Sequence, residues 1–185
     1  MNSWLPAVAG GLVIVLAVVV ALLLRRRRRS LAWLLNRQSK KRLADFMLPD
    51  DVDGEIHVDF LLMTAGGLVV LDVRRMHGTV FAAPELEGWT ALHRKGRTVV
   101  KNPLPGLRAR IHAVRALAGE VPVNGYVLIL GEARFSGPVP ERVITPAQLE
   151  AGLPQGDPVP EEALHRAWEA VGSAARHLGP GSRLP

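Results

Sequence analysis

Two carboxylates in neighbouring apolar segments have the clearest potential for chemistry in this chain. Asp59 interrupts the alternating run 56–63, and Asp72 stands near the end of the apolar run 68–73. A glycine-containing turn separates the two runs, so we expect a hairpin with the acids close together across it. Acids on adjacent strands can bind Mg²⁺, which lowers the pKa of bound water and offsets charge on a phosphodiester. One prediction is therefore a magnesium site formed by Asp59 and Asp72.

Arg74 follows Asp72 by two residues, so the two side chains share one face of the strand. A cation there could orient the attacking water or stabilise developing negative charge. The alternative is structural: an ion pair of the acids with Arg74 or Arg75 that closes the end of the sheet. His57 lies on the face of Asp59, either as a metal or phosphate ligand or as its hydrogen-bonded structural partner.

The apolar patterns predict α/β architecture, with a mixed sheet flanked by helices. Predicted strands cover 56–63, 68–73 and 123–130, with weaker candidates at 78–81 and 89–92. Predicted helices cover 30–48, 106–119 and 160–178, and Pro49 is expected to stop the first. The second helix has an apolar stripe formed by Leu107, Ile111, Val114 and Ala118. Residues 138–160 are predicted to be mainly loop, with a short element near Val143.

Residues 5–24 form an uninterrupted apolar segment in which thirteen of twenty residues are Val, Ile or Leu. About twenty helical residues span a bilayer core, so we predict a single transmembrane helix. A cleaved signal peptide would carry its positive charge before the apolar run, and here the charge comes after it. Because positive flanks stay in the cytoplasm, the N-terminus is expected outside the inner (cytoplasmic) membrane. The residues that set this orientation are Arg25, Arg26, Arg27, Arg28 and Arg29.

The net charge of +6 comes from the segment next to the predicted membrane span. Residues 46–185 carry 14 Lys and Arg against 16 Asp and Glu, a net of −2. Attraction of the early basic segment to anionic membrane lipid therefore explains the excess more simply than binding of nucleic acid does. The chain has no cysteine, which excludes disulfides and thiolate zinc sites.

Local basic groups could still contact nucleic acid. Arg108, His112 and Arg115 stand at helical spacing on one face of the predicted second helix, where they are candidates for phosphate contacts. A second candidate patch covers residues 94–101. Solvated surface is the alternative for both groups.

The stretch EIHVDFLLMTAGGLVVLDVRRMHGTV (residues 55–80) resembles the nuclease-related domain, a branch of the restriction-endonuclease-like superfamily. Matches continue in order through Trp89, the segment 101–104, His112 and the segment 122–128, so the resemblance covers roughly residues 50–150. It implies that Asp59 and Asp72 hold a metal ion, with Mg²⁺ as cofactor, and that position 74 assists the nucleophile.

The chain departs from that family pattern at three points. Position 74 is arginine rather than lysine, and arginine stays protonated and cannot act as a general base. The segment 36–42 lacks the expected acid, for which Asp45 or Glu55 are possible substitutes, and 104–110 lacks the expected glutamine.

Three hypotheses for the function follow. The first hypothesis is a membrane-anchored Mg²⁺-dependent nuclease. The second is a catalytically inactive module that binds nucleic acid or a protein, and the third is a membrane-bound scaffold for a protein partner.

The predicted organisation follows from these observations. It comprises an extracytoplasmic tail (1–4), the membrane helix (5–24), a basic juxtamembrane segment and helix (25–48), the nuclease-related α/β domain (49–152), and a loop with a C-terminal amphipathic helix (153–185).

Overall fold

Ten strands and four helices form the part of the chain that the computed structural model describes, residues 31–50, 54–154 and 156–177. The strands are β1 (Lys41–Asp50), β2 (Gly54–Thr64), β3 (Gly67–Arg75), β4 (Gly78–Phe81), β5 (Gly88–His93), β6 (Gly96–Lys101), β7 (Val123–Leu130), β8 (Ala133–Phe135), β9 (Val143–Ile144) and β10 (Arg176–His177). The helices are α1 (Leu31–Gln38), α2 (Pro103–Ala118), α3 (Pro146–Ala151) and α4 (Glu161–Ala174). The predicted mixed α/β class is confirmed.

The larger sheet has six strands in the order β10-β1-β2-β3-β7-β9. Strands β1, β2 and β3 are antiparallel, whereas β3, β7 and β9 run parallel. The predicted turn between β2 and β3 is present, and Leu68 to Leu71 are buried, as expected for a strand covered on both faces. This hairpin sets the register in which the two acids meet.

A second sheet has four strands in the order β6-β5-β4-β8. One of its faces belongs to the hydrophobic core through Val80, Trp89 and Ala91. The Trp89 indole Nε1 donates to the carbonyl oxygen of Ala83 at 3.0 Å, so its polar group is satisfied inside the core. The strand β6 was not predicted, because most of its residues are exposed and show no apolar alternation.

Helix α2 buries its predicted stripe, and Leu107 and Val114 are fully inaccessible. It begins at Pro103, three residues earlier than predicted, because Asn102 caps it. The Asn102 Oδ1 accepts from the Leu104 N–H at 3.0 Å, and its Nδ2 donates to the carbonyl oxygen of Leu86 at 2.8 Å. The side chain thus joins the helix start to the loop before β5.

The predicted helix over 30–48 is wrong in its second half. Helix α1 ends at Gln38, and β1 then pairs with β2 from Lys41 to Asp50. Phe46 and Leu48 are fully buried on one face with a period of two, so sheet pairing overrides the partial helical pattern. Pro49 lies within the strand rather than ending a helix, which is tolerated because β10 pairs with β1 only at positions 46 and 47.

The C-terminal prediction is right in type and wrong in extent. Helix α4 ends at Ala174, and β10 follows at once, so Trp168 and Val171 belong to the helix whereas Leu178 lies outside the described residues. The segment predicted as loop also contains α3, whose first turn is held by a capping box between Thr145 and Gln148.

The chain divides into two compact units, residues up to Arg37 and residues from Gln38 onward. Within residues 31–50, 54–154 and 156–177, none of the helices has the length and apolar character needed to cross a bilayer. The predicted membrane helix at 5–24 and its five flanking arginines lie outside these described residues.

Candidate active site

The β2–β3 hairpin brings Asp59 and Asp72 together, as its sequence predicts. Phe60 pairs with Leu71, so the next positions along the two strands are the acids themselves. The Asp59 Oδ2 also accepts a hydrogen bond from the Val73 N–H at 2.7 Å, which ties its carboxylate to β3. Adjacent strands therefore carry one acidic pair.

A third aspartate lies level with this pair on β1. The pairs Ala44–Phe60 and Phe46–Val58 flank Asp45, which places it opposite Asp59. Asp45 has a left-handed backbone with φ of 49°. Among the possible substitutes for the missing family acid, it is the one that the register places beside Asp59.

His57 connects two of these carboxylates. Its Nδ1 lies 3.2 Å from Asp59 Oδ1, and its Nε2 lies 3.5 Å from Asp45 Oδ1. Both ring nitrogens therefore face acid oxygens, one from β1 and one from β2. The predicted proximity of His57 to Asp59 is present, and the geometry is that of a structural partner.

Asp72 is the most enclosed charge of the site. Its side chain is 0% exposed, and two guanidinium groups contact its carboxylate. Arg74 Nη2 lies 3.0 Å from Oδ2 and 2.9 Å from Oδ1, and Arg110 Nη1 lies 3.2 Å from Oδ2. The contact to Oδ1 lacks hydrogen-bond geometry, so this oxygen has an ion-pair neighbour but no hydrogen bond. The predicted ion pair between Asp72 and Arg74 is therefore present.

The pKa of Asp72 lies above its ordinary value near 3.8. Burial is the largest cause, because it disfavours the charged carboxylate. The charges of Arg110 and then Arg74 oppose this rise, whereas the negative charge of Asp59 adds to it. The two arginines hold Asp72 closer to its ionised form than burial alone would allow.

Arg110 is a site residue that was not predicted from the sequence. Its side chain is 14% exposed, and its Nε donates to the carbonyl oxygen of His57 at 2.6 Å. The signal was available, because position 110 follows Leu107 by three residues and precedes Val114 by four, which places it on the buried stripe of α2. The guanidinium thus joins α2 to both β2 and β3.

Gly106 provides the space for this arginine. One helical turn before Arg110, a Cβ at position 106 would lie 2.8 Å from the Arg110 Nη1. Any side chain at 106 would compete with the guanidinium for the same volume. The pair Gly106 and Arg110 therefore acts as a unit, in the segment where the family pattern leads us to expect a glutamine.

The residues predicted to contact phosphate are all exposed and lie on the face of α2 next to its buried stripe: Arg108, His112 and Arg115. Arg115 Nη2 donates to the carbonyl oxygen of Val123 at 3.1 Å. One donor of this guanidinium group is therefore already used at the start of β7. These three residues are thus separate from Arg110, which alone among the α2 cations described here faces the acids.

The residues present do not fit a resident Mg²⁺. Asp72 is neutralised by two guanidinium groups, and Asp59 is engaged by a backbone N–H and by His57. Within the described part of the chain, no three His, Cys, Asp or Glu side chains converge on a position for a metal ion. A cation at Asp72 would have to displace Arg110, Arg74 or both.

Comparison with protein families adds one decisive match. The model of the nuclease-related domain matches residues 24–130, more than half of the 185-residue chain. The chain belongs to the nuclease-related domain family. The match covers α1, both acidic strands, α2 and all of β7, so the arginine-bound carboxylate of Asp72 lies inside the region that defines the family. No curated protein and no solved structure matches the chain.

Proposed function

We propose that this chain is a catalytically inactive nuclease-related module, held at the cytoplasmic face of the inner membrane, that binds nucleic acid rather than cutting it. One observation carries the proposal: the buried carboxylate of Asp72 is bound by Arg74 and Arg110. In a phosphodiesterase of this family, the corresponding acid would be open to a metal ion. Here two fixed cations take the place of that ion.

The membrane part of the proposal rests on the sequence of residues 5–24 and on the five arginines that follow. An apolar segment of this length favours insertion by several kcal/mol, at about −0.3 to −0.6 kcal/mol for each Val, Ile or Leu. The arginines favour retention of the following residues in the cytoplasm. Membrane lipid is thus one proposed partner.

Binding of nucleic acid is proposed for the exposed face of α2. His112 follows Arg108 by four residues and precedes Arg115 by three, a spacing that presents all three side chains on one side of the helix. Exposed arginines bind phosphate through charge and hydrogen bonds without reading sequence. Binding through this face needs no metal and no open site at Asp72.

A Mg²⁺-dependent nuclease is the second candidate, and one observation favours it. The carboxyl groups of Asp59 and Asp72 meet on adjacent strands, and Asp72 Oδ1 has no hydrogen bond. If Arg110 moved away, Asp59 and Asp72 would supply the metal ligands, and Mg²⁺ would supply an activated water and charge stabilisation. Arg74 would then remain as a fixed cation beside the reacting phosphate.

The test is a cleavage and binding assay with the full chain in detergent, on duplex DNA and on RNA, with Mg²⁺ or Mn²⁺. We expect binding that weakens with salt and no cleavage that depends on Asp72. Replacing Arg108→Gln should lower the slope of log affinity against log salt by about one, because one phosphate contact is lost. The matched control is Arg166→Gln, an exposed arginine on α4.

Cleavage that disappears in Asp72→Asn would overturn the proposal in favour of the nuclease. Arg74→Lys adds a second probe of the same site, because it restores the residue that the family pattern has there. We expect Arg74→Lys to remain inactive, since Arg110 still binds the Asp72 carboxylate. Activity gained by this variant would show an otherwise intact catalytic site.

A further inference from the structure

The four-stranded sheet has an outer face that is both apolar and basic. Its inner face carries Val80, Trp89 and Ala91 into the core, so alternate residues must point outward. Three large apolar side chains on the outer face are exposed: Phe81 at 43%, Leu92 at 43% and Val99 at 58%. Such exposure on three adjacent strands is unusual for a surface without a partner.

Basic residues surround these three side chains. Arg97 and Lys101 lie two positions before and after Val99 on β6, and therefore share its face. Arg134 on β8 pairs with Thr79, which lies on the same face of β4 as Phe81. All three basic residues are exposed, and strands β4, β5, β6 and β8 contain no Asp or Glu.

We infer that this outer face docks onto an anionic lipid bilayer. Basic side chains would bind lipid headgroup phosphates while Phe81, Leu92 and Val99 enter the interfacial layer, the combination found in proteins that lie on membranes. The inference rests on the proposed membrane anchor for proximity. Thirteen residues separate residue 24 from Gln38. Even a fully extended linker of this length would keep Gln38 within about 45 Å of the predicted membrane helix.

Other occupants fit this face less well. Single-stranded nucleic acid binds to sheets through stacking on several aromatic rings, and this face offers one, Phe81, beside the aliphatic Leu92 and Val99. A second copy of the chain, packed through the same face, would bring one basic surface against another, and repulsion between like charges opposes this. An anionic lipid surface complements both the charge and the apolar side chains.

The chain's lack of cysteine allows a site-specific test. The full chain carrying Val99→Cys is labelled with an environment-sensitive fluorophore and added to vesicles of phosphatidylcholine, alone or with phosphatidylserine. We expect the emission to rise with anionic vesicles and to be quenched by lipids with a nitroxide near the headgroup. The matched control is Ser173→Cys, an exposed residue of α4, whose emission should not change.

Charge variants test the basic part of the face. Replacing Arg97→Gln and Lys101→Gln together should lower the docking equilibrium constant by about 25-fold, since each basic residue at an anionic surface contributes roughly fivefold. The same fluorophore at position 99 reports this loss. Arg166→Gln on α4 is the charge-matched control and should leave docking unchanged.

Vesicle flotation separates failure of this inference from failure of the anchor. If the chain floats with both vesicle types but the label at position 99 responds no more than that at 173, the docking inference is overturned and the anchor stands. If the chain floats only with anionic vesicles, and this requires Arg97 and Lys101, the anchor fails and docking stands. Absence of flotation with either vesicle type overturns both. In the absence of lipid, the emission of the label at position 99 should not change when an oligonucleotide is added or when the protein concentration is raised. A change in either case would also overturn lipid docking.

Discussion

Replacing Arg110→Ala is expected to lower the free energy of unfolding by about 3 kcal/mol, the low end of the cost of breaking a buried ion pair. The low end applies because Arg74 still contacts Asp72. The loss includes the hydrogen bond to the carbonyl oxygen of His57. Denaturation of the full chain by urea measures it. The matched control is Arg108→Ala, two residues away on the exposed face, which should stay within about 0.5 kcal/mol of the wild type.

The loss of stability caused by Arg110→Ala should depend on pH. The pKa of Asp72 is raised in the folded protein. The contribution of this carboxyl group to folding stability therefore falls as the pH rises from its ordinary pKa, near 3.8, through its pKa in the folded protein. Removing Arg110 raises the folded pKa further, because its charge lowers that pKa now. The deficit of Arg110→Ala should therefore be smaller at pH 5 than at pH 8. A deficit that is equal at both values would contradict the ion pair as its cause.

A double variant distinguishes loss of charge compensation from loss of packing. Arg110→Met leaves an apolar side chain beside a buried carboxylate, and adding Asp72→Asn removes the uncompensated charge. The double variant should recover more than half of the stability that Arg110→Met loses. If the two losses simply add, the role of Arg110 is packing, and the charges of the site are independent.

Gly67→Ala is expected to be the second large effect. Gly67 has φ of 127°, and a Cβ there would lie 2.2 Å from the carbonyl oxygen of Pro122. That oxygen cannot withdraw freely, because it accepts from the Leu68 N–H at 2.9 Å. The Gly67 carbonyl oxygen also accepts from the buried Thr64 hydroxyl at 2.9 Å. The substitution therefore opposes the hairpin that sets Asp59 beside Asp72.

Gly96→Ala is the matched control for this clash. Gly96 has φ of 131°, and nothing lies within 4 Å of a Cβ built there. Its replacement should cost about 1–2 kcal/mol from backbone strain alone. Gly67→Ala should cost at least twice as much in the same urea denaturation. Equal losses would show that Pro122 moves aside and that the close approach has little effect.

Local patterns in the sequence predicted the centre of the fold well. Alternation over 56–63 and the apolar run 68–73 gave β2 and β3, and the turn between them was sufficient to place Asp59 near Asp72. The stripe of α2 was right in every member. These elements bury side chains with a regular period, which is the property that a single sequence displays.

The missed elements lack that property. Strand β1 carries both a partial helical stripe and the alternation of Phe46 and Leu48, and only its pairing with β2 decides between them. Strand β6 is almost entirely exposed, so its pairing with β5 rests on backbone hydrogen bonds that no side-chain pattern reveals.

Arg110 was missed for a different reason. A charged residue is normally assigned to the solvent side of a helix, where Arg108, His112 and Arg115 do lie. Position 110 belongs to the buried side, where Asp72 supplies the opposite charge and Gly106 supplies the space. Asp72 and Arg110 are 38 positions apart in the chain, and no local pattern indicates that they contact each other.

Binding of Mn²⁺ to the full chain, followed by the electron paramagnetic resonance signal of the free ion, tests most directly whether arginine has replaced metal at Asp72. The wild type and Asp72→Asn should bind the same number of ions, because Arg74 and Arg110 already neutralise the carboxylate. One additional Mn²⁺ bound by the wild type and lost in Asp72→Asn would contradict the closed site and restore the metal-dependent nuclease.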